Sequence, residues 1–240
     1  MSKIIALVEH RQGSIKDITF EILTMGRKIA QPKGLKLTAV LLGFNTASSA
    51  DILKPWADRV LVADHEMFKN FNAETYQLTL AALLKQENPR LVMIGHSLCG
   101  ADLAPALATE LSIPFTTDCL GVEITDETLK VVRQVYDGKL NARLTMRNSS
   151  THLITLRSGS CPVEPSNLNG VIEKFEPGIT APEYRRFVEY IEAVVGDVDI
   201  TRADVVVGIG RGIKEQANMA MIEDFAKTIN GVVACSRPVV

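Results

Sequence analysis

The chain has no long apolar run, no Cys-x-x-Cys pair and no surplus of either charge, and each absence removes a class of protein. No stretch approaches the ~18 apolar residues of a membrane span. The N-terminal run Ile4-Ile5-Ala6-Leu7-Val8 stops at Glu9-His10-Arg11, too short for a signal-peptide core. Membrane insertion is not expected, and the cytoplasm is the expected compartment. The four cysteines, Cys99, Cys119, Cys161 and Cys235, stand apart from one another, and His10, His65, His96 and His152 show no His-x-His or His-Glu-x-x-His spacing. Structural zinc and a disulfide framework are both disfavoured. With 26 Lys and Arg against 28 Asp and Glu, the net charge is −2, so no global field draws the protein to nucleic acid. Internal repeats and low-complexity tracts are missing as well.

What is present is material for a core. Hydrophobic residues make up 46% of 240 and charged residues 22%, the balance of a packed globular protein. This length suits one full domain and a remainder. The first hundred residues alternate buried-strand and amphipathic-helix patterns. Ile4–Val8, Leu37–Leu42, Asp58–Val62 and Arg90–Gly95 read as strands. Between them, a helix capped by Asp17 carries Ile18, Ile22, Met25 and Ile29, and one capped by Asn72 carries Tyr76, Leu80, Leu83 and Leu84. A third, with Asp102 as N-cap so that Pro105 falls in its first turn, carries Leu103, Leu107 and Leu111. Leu129–Tyr136 and Leu140–Met146 flank Asp137-Gly138, the signature of a type I′ hairpin. His152–Leu156 reads as another buried strand, and the Pro- and Gly-punctuated stretch after it as loops and edge segments.

A second α/β unit begins near Gly196. Ala203–Val207 reads as a strand, Gly208-Ile209-Gly210-Arg211-Gly212 as a turn, and a helix bearing Met221, Phe225 and Ile229 follows, closed by Asn230-Gly231 before the strand Val232–Cys235. The fold class expected is α/β: a mainly parallel sheet with helices on both faces plus an antiparallel hairpin, then an incomplete Rossmann-like second domain. The expected boundaries are 1–195 and 196–240, the latter too few residues for a domain of ordinary size, so truncation is expected.

The glycine turn is the most informative local feature. After a buried strand it lets backbone N–H groups approach an oxyanion, and Arg211 adds a two-pronged contact suited to a diphosphate. The dinucleotide fingerprint G-x-G-x-x-G fails, because Ile213 stands at its third glycine, and Walker spacing is absent. By pattern alone, a tight strand-to-helix connection with a solvated arginine remains open. Ser236-Arg237-Pro238 follows the next strand, at the carboxyl edge where open α/β sheets place ligands, although Arg237 also suits a surface cation. Gly95-His96-Ser97-Leu98-Cys99-Gly100-Ala101-Asp102 joins a strand to a helix, but neither His96 nor Ser97 has a partner visible in the sequence, so a plain turn is favoured. Cys99 and Cys119 read as buried small residues rather than nucleophiles.

Several segments in order resemble the electron transfer flavoprotein alpha subunit across essentially the whole chain. They are Ile4–His10, Gly95-His96-Ser97 with Gly100–Pro105, Arg133-Gln134-Val135-Tyr136-Asp137-Gly138-Lys139, Ala203–Val207 leading to Gly210-Arg211-Gly212-Ile213-Lys214, and Gly231 to Ser236-Arg237-Pro238-Val239-Val240. The resemblance implies an electron carrier rather than an enzyme, with FAD as cofactor. It implies a first domain that forms a scaffold with a smaller beta subunit and a second that holds FAD. Arg211 and Ser236 would contact FAD, Arg237 would lie by the flavin ring, and Gly210 and Gly212 would flank the arginine of the turn. The implied partners are the beta subunit, flavin-containing dehydrogenases such as acyl-CoA dehydrogenases, and a quinone oxidoreductase or other acceptor. Two departures stand out: Ile209 replaces a glycine common before the turn, and the family's Gln-Val-Gly-Gln-Thr-Gly-like and Gly-Ile-Ser-Gly-Ala-Ile-Gln-His-like segments are not in this sequence. The chain by itself is therefore expected to hold little or no FAD.

Two other readings compete: a nicotinamide-dependent oxidoreductase on a doubly wound sheet, and a non-catalytic adenine-nucleotide-binding or docking module. The flavin reading makes a claim the others do not. A cation at Arg237 favours a reduced, negatively charged flavin, so Arg237→Ala in the full complex is expected to lower the flavin potential; potentiometry showing no change with binding intact would remove that role.

Overall fold

The computed structural model describes residues 3–125, 128–180, 182, 185–190, 200 and 203–236. The chain divides into two compact units, Met1–Phe187 and Val188–Val240.

In the first unit, β1 (Lys3–Leu7), a short hairpin of β2 (His10–Arg11) and β3 (Ser14–Ile15), α1 (Asp17–Ala30), β4 (Lys36–Gly43), α2 (Ala47–Leu53), β5 (Arg59–Asp64), α3 (Ala73–Glu87), β6 (Leu91–Gly95) and α4 (Leu98–Leu111) come first. Then follow β7 (Phe115–Ile124), β8 (Leu129–Val135), β9 (Leu140–Thr145), β10 (His152–Leu156) and β11 (Val171–Lys174). One nine-stranded sheet runs β11-β5-β4-β1-β6-β10-β7-β8-β9. It is parallel from β11 to β7 and antiparallel through β8 and β9. The expected α/β class, parallel sheet and antiparallel addition are all present.

Both faces are covered, which is why the strands read as continuous apolar runs. Along β1 the side chains alternate: Ile4 and Ala6 join Ile18 and Ile22 of α1, whereas Ile5 and Leu7 join Leu80 and Leu84 of α3 and Leu103 and Leu107 of α4. At the β8–β9 connection Tyr136, Asp137 and Gly138 all have positive φ and the Lys139 N–H donates to the Tyr136 carbonyl at 3.1 Å, but the strands pair only to Val135↔Leu140, so the connection is longer than the tight two-residue turn expected.

Four further local expectations shift. Lys16, not Asp17, precedes α1 and makes no side-chain cap; Asp17 is the acidic residue of the first turn, where it complements the helix dipole. Ser97, not Asp102, caps α4, its Oγ accepting from the Gly100 N–H at 3.1 Å. Pro105 therefore lies inside α4. It is tolerated on the solvent side, where the Ala101 carbonyl it cannot serve reaches water. The strand expected at Ala203–Val207 is instead β12 (Val206–Ile209), because its partner β13 (Val232–Cys235) sets the register from Val206↔Val232 to Ile209↔Cys235. Finally, α5 (Met219–Thr228) starts well after the glycine turn, with two 3-10 turns, Arg211–Ile213 and Gln216–Asn218, between. No helix among the described residues is long and apolar enough to cross a membrane.

At the amino ends of the strands, Glu87 closes α3 over two cations: the Lys3 ammonium, and the Arg59 guanidinium, which reaches both carboxylate oxygens at 3.0 Å. Burial alone would raise the Glu87 carboxyl, but these bonds outweigh it and hold it below its usual range. A lowered folded-state value contributes stability above the unfolded pKa of ~4.3 that is lost as pH falls through the folded value. Glu87→Gln is expected to cost about 1–2 kcal/mol near neutrality. That is less than a fully buried pair, because the Lys3 side chain stays 33% exposed and the Arg59 side chain 24%. The loss should shrink as pH falls below ~4, which urea denaturation across pH would check.

Candidate functional site

Open α/β sheets bind ligands outside the carboxyl ends of their strands, where the strand order reverses. In the first unit that point lies between β1 and β6, and it is closed from within. The connection after β1 is not a glycine-rich loop but the β2–β3 hairpin, tied down where Ser49 Oγ donates to the Gly13 carbonyl at 3.2 Å. Glu9, at its base, is fixed by its own backbone: its N–H donates to Thr19 Oγ1 at 3.0 Å, and its carbonyl accepts from the Lys16 N–H at 2.9 Å. The Glu9 carboxylate then accepts from Ser97 Oγ at 2.6 Å, beside the first turn of α4, where a ligand anion would otherwise be favoured. The space left among Leu7, Glu9, Tyr76, Gly95, Cys99 and Gly100 is about 20 Å³. One water fits there; a nucleotide does not.

The other polar groups on this edge bind one another. Asp118 sits at a β-bulge with φ 57°, its carboxylate held by Arg157 Nε at 2.7 Å and Nη2 at 2.5 Å. Its N–H donates to Thr155 Oγ1 at 3.0 Å, the hydroxyl that also meets His96 Nδ1 at 3.0 Å, and Arg157 reaches Gln134 as well. The Arg157 guanidinium holds the Asp118 carboxyl below its ordinary value against the opposing effect of burial, with His96 and Arg133 adding to it. His96 and Ser97 thus have partners after all, but from residues 9, 118 and 155, far away in sequence. Cys99 and Cys119 are poor nucleophiles: burial pushes the Cys119 thiol up to about 12, and burial, Glu9 and Asp102 raise Cys99. Among the described residues no group of three or more His, Cys, Asp or Glu is placed to hold a metal.

The second unit differs. Its parallel strands β12 and β13 end side by side, and the Ser236 N–H donates to the Ile209 carbonyl at 3.0 Å. Gly210, Arg211 and Gly212 follow one strand end and Ser236 the other, so the structure brings these sequence-predicted residues to one edge; Arg237 lies outside the described residues. The helix whose positive end was expected directly behind the glycines is displaced, so here the 3-10 turn, not α5, presents the backbone. An open crevice of about 690 Å³ is lined by Arg211, Lys214, Glu215, Gln216, Met219 and Cys235, among others. A second, of about 580 Å³, lies along Gly208, Gly210 and Gly212.

The three glycines are informative in their surroundings. None has positive φ, and a Cβ built on any of them meets no atom within 4 Å. Neither backbone conformation nor the protein's own packing requires glycine at these positions. Gly100 is the contrast, since a Cβ there would lie 1.8 Å from the Gly95 carbonyl oxygen. What the bare backbone at 208–212 leaves room for is something approaching from outside.

Two family models match the chain. Residues 4–179 match the family model described as the electron transfer flavoprotein domain, and residues 199–240 the one described as the electron transfer flavoprotein FAD-binding domain. The chain is 33% identical over 237 residues to the electron transfer flavoprotein subunit alpha of Clostridium acetobutylicum, covering 95% of this chain and 70% of that one. It is 29% identical over 237 residues to the lactate dehydrogenase (NAD(+),ferredoxin) subunit LctC of Acetobacterium woodii, covering 96% of this chain and 56% of the relative. To the acryloyl-CoA reductase electron transfer subunit beta of Anaerotignum propionicum it is 27% identical over 273 residues, covering 97% and 72%.

Proposed function

The chain belongs to the electron transfer flavoprotein alpha family, and from that premise we propose that it is one subunit of a heterodimeric electron carrier, not an enzyme, with its FAD contacts in residues 196–240 and a scaffold in residues 1–195. FAD, when bound, supplies the redox chemistry. The chain's own residues bind and orient it. Gly210 and Gly212 let backbone N–H groups come close to the diphosphate, and the Arg211 guanidinium meets it in two-pronged fashion. Ser236, at the neighbouring strand end, adds a hydroxyl, and Arg237 a positive charge near the ring.

The observation that carries this reading is the glycine-lined backbone with no internal reason for glycine, next to a cation at paired strand ends. The competing readings have less support. A nicotinamide site lacks its third glycine at Ile213, and a nucleotide module in the first unit meets a cavity of about 20 Å³ filled out by Glu9.

Partners follow from the same proposal: a beta subunit, flavin-containing dehydrogenases as donors and a quinone oxidoreductase or other acceptor, all in the cytoplasm. The first unit offers a surface for the beta subunit at β9, the open edge of the sheet, where Leu140 is 57% and Leu144 40% exposed. Long exposed apolar edges invite pairing with another chain.

Two measurements test the reading. Gly210→Val fills open space, so folding stability is expected to change by no more than ~0.5 kcal/mol, while FAD affinity in the subunit complex falls at least about tenfold, or ~1.4 kcal/mol; urea denaturation reads the first and flavin fluorescence titration the second. Leu140→Lys with Leu144→Lys should weaken association with the beta subunit by about tenfold or more, as loss of apolar anchors does. Unchanged association in analytical ultracentrifugation would remove β9 from the interface.

A further inference from the structure

Lys214 has no part in the reading above, yet its backbone is the most constrained in the second unit. It has φ 63° and ψ −56°, and the Glu215 N–H donates to the Ile213 carbonyl across it at 2.8 Å. That is a γ-turn of the positive-φ kind, which is rare and strained for a residue with a Cβ. Glycine would adopt it without strain, but the chain has lysine. The turn is held from several sides: Asn218 Nδ2 also donates to the Ile213 carbonyl at 2.8 Å, the Lys214 N–H to the Arg211 carbonyl at 3.2 Å, and the Asn218 N–H to the Glu215 carbonyl at 3.1 Å.

Strain of this kind persists where the surroundings over-determine it, and it concentrates at ligand clamps. Here it coincides with a crevice. Lys214 and Arg211 are two cations on the rim of the same 690 Å³ space, opposed by one carboxylate, Glu215, with the uncharged Gln216 beside it. The Lys214 side chain is exposed and no ion pair within the protein occupies it among the described residues. The two cations differ in kind: a planar guanidinium suits paired oxygens, whereas an ammonium is a point charge for a single oxygen.

We propose that Lys214 is a second cationic contact, beside Arg211, for the diphosphate of the dinucleotide that occupies this crevice. The proposal rests on the flavin reading and deepens it, since it makes the diphosphate, rather than the ring, the group this end of the site selects. Ligands carrying a diphosphate are then favoured over riboflavin. The strained turn is formed before the ligand arrives, so its cost falls on folding and not on binding, and it sets the point from which the lysine side chain departs.

Acylation of lysine amines and phenylglyoxal modification of arginines, read by mass spectrometry on the chain in complex with its beta subunit, test this directly. Inorganic pyrophosphate and FAD are expected to slow acylation of Lys214 at least tenfold, riboflavin to leave it unchanged, and Lys227 on α5 to serve as the unprotected reference. Protection of Arg211 without Lys214 overturns the proposal and leaves the flavin reading standing; protection of neither overturns both. Variants supply the second readout. Lys214→Gly is expected to raise the urea midpoint by relieving the turn, weaken pyrophosphate about tenfold and flatten the salt dependence of its affinity, while Lys214→Arg retains most of the binding. Unchanged affinity and salt dependence in Lys214→Gly would assign Lys214 a purely structural role and overturn the proposal.

Discussion

The contact between the Glu9 carboxylate and Ser97 Oγ, 2.6 Å long, decides how the two units divide their labour. A parallel sheet with helices on both faces directs helix amino ends and bare backbone at the point where the strand order reverses, and an anion is the natural occupant. This sheet brings its own. Glu9 arrives at the end of β1, is clamped by Thr19 and Lys16, and meets the residue that caps α4. With Asp118, Arg157, Thr155 and His96 engaged with one another along the same edge, the first unit retains the architecture of a nucleotide-binding sheet without its vacancy.

The second unit has the opposite arrangement, and glycine makes the contrast visible. In the first unit Gly100 lets α4 press against the end of β6, and Gly170 lets the segment before β11 pass against the Ala57 carbonyl, where a Cβ would approach to 2.3 Å. Both are explained by packing within the fold. Gly208, Gly210 and Gly212 have no such neighbour among the described residues, as Gly121 on β7 has none, but here three of them cluster along one open crevice at a strand end. Glycine content alone does not distinguish these cases; surroundings do.

This difference also governs what was legible in the sequence. Long apolar runs and capped periodic helices, such as Asn72 with Tyr76, Leu80 and Leu84, are strong local signals and appear as read. Elements whose identity is set by a distant partner do not. In β7, Phe115-Thr116-Thr117-Asp118-Cys119 has neither alternation nor a continuous apolar run, because its residues serve a bulge and a polar network instead of one core face. The run Val205-Val206-Val207 has β propensity throughout, yet the strand starts at Val206 and takes in Gly208, since pairing with β13 outweighs propensity. At α4, Pro105 suggests a late helix start with Asp102 as cap, whereas the Ser97 cap and the seat it makes for Glu9 begin the helix five residues earlier. The placement of Gly210, Arg211, Gly212 and Ser236 at neighbouring strand ends was legible because strand ends and glycine are local features. The strain at Lys214 was not, because nothing in Ile213-Lys214-Glu215 predicts a positive φ.

Stability and ligand binding are coupled in the second unit more tightly than in the first. Among its described residues only Ile209 and Ala226 are fully buried, while Met221 and Phe225 on α5 are 67% and 54% exposed. A two-stranded sheet with one helix has little of its own to offset the entropy of ordering. Whatever covers its backbone edge and apolar face therefore adds to its folding free energy as RT ln(1 + [L]/Kd), and does so without a competing term from a preformed core. The cations beside the crevice work in the same direction. Arg211 and Lys214 line one crevice together with a single carboxylate, Glu215, so an entering anion offsets their excess positive charge. An anion bound at the crevice therefore adds to the stability of this unit, whereas in the first unit Glu9 already holds the corresponding point.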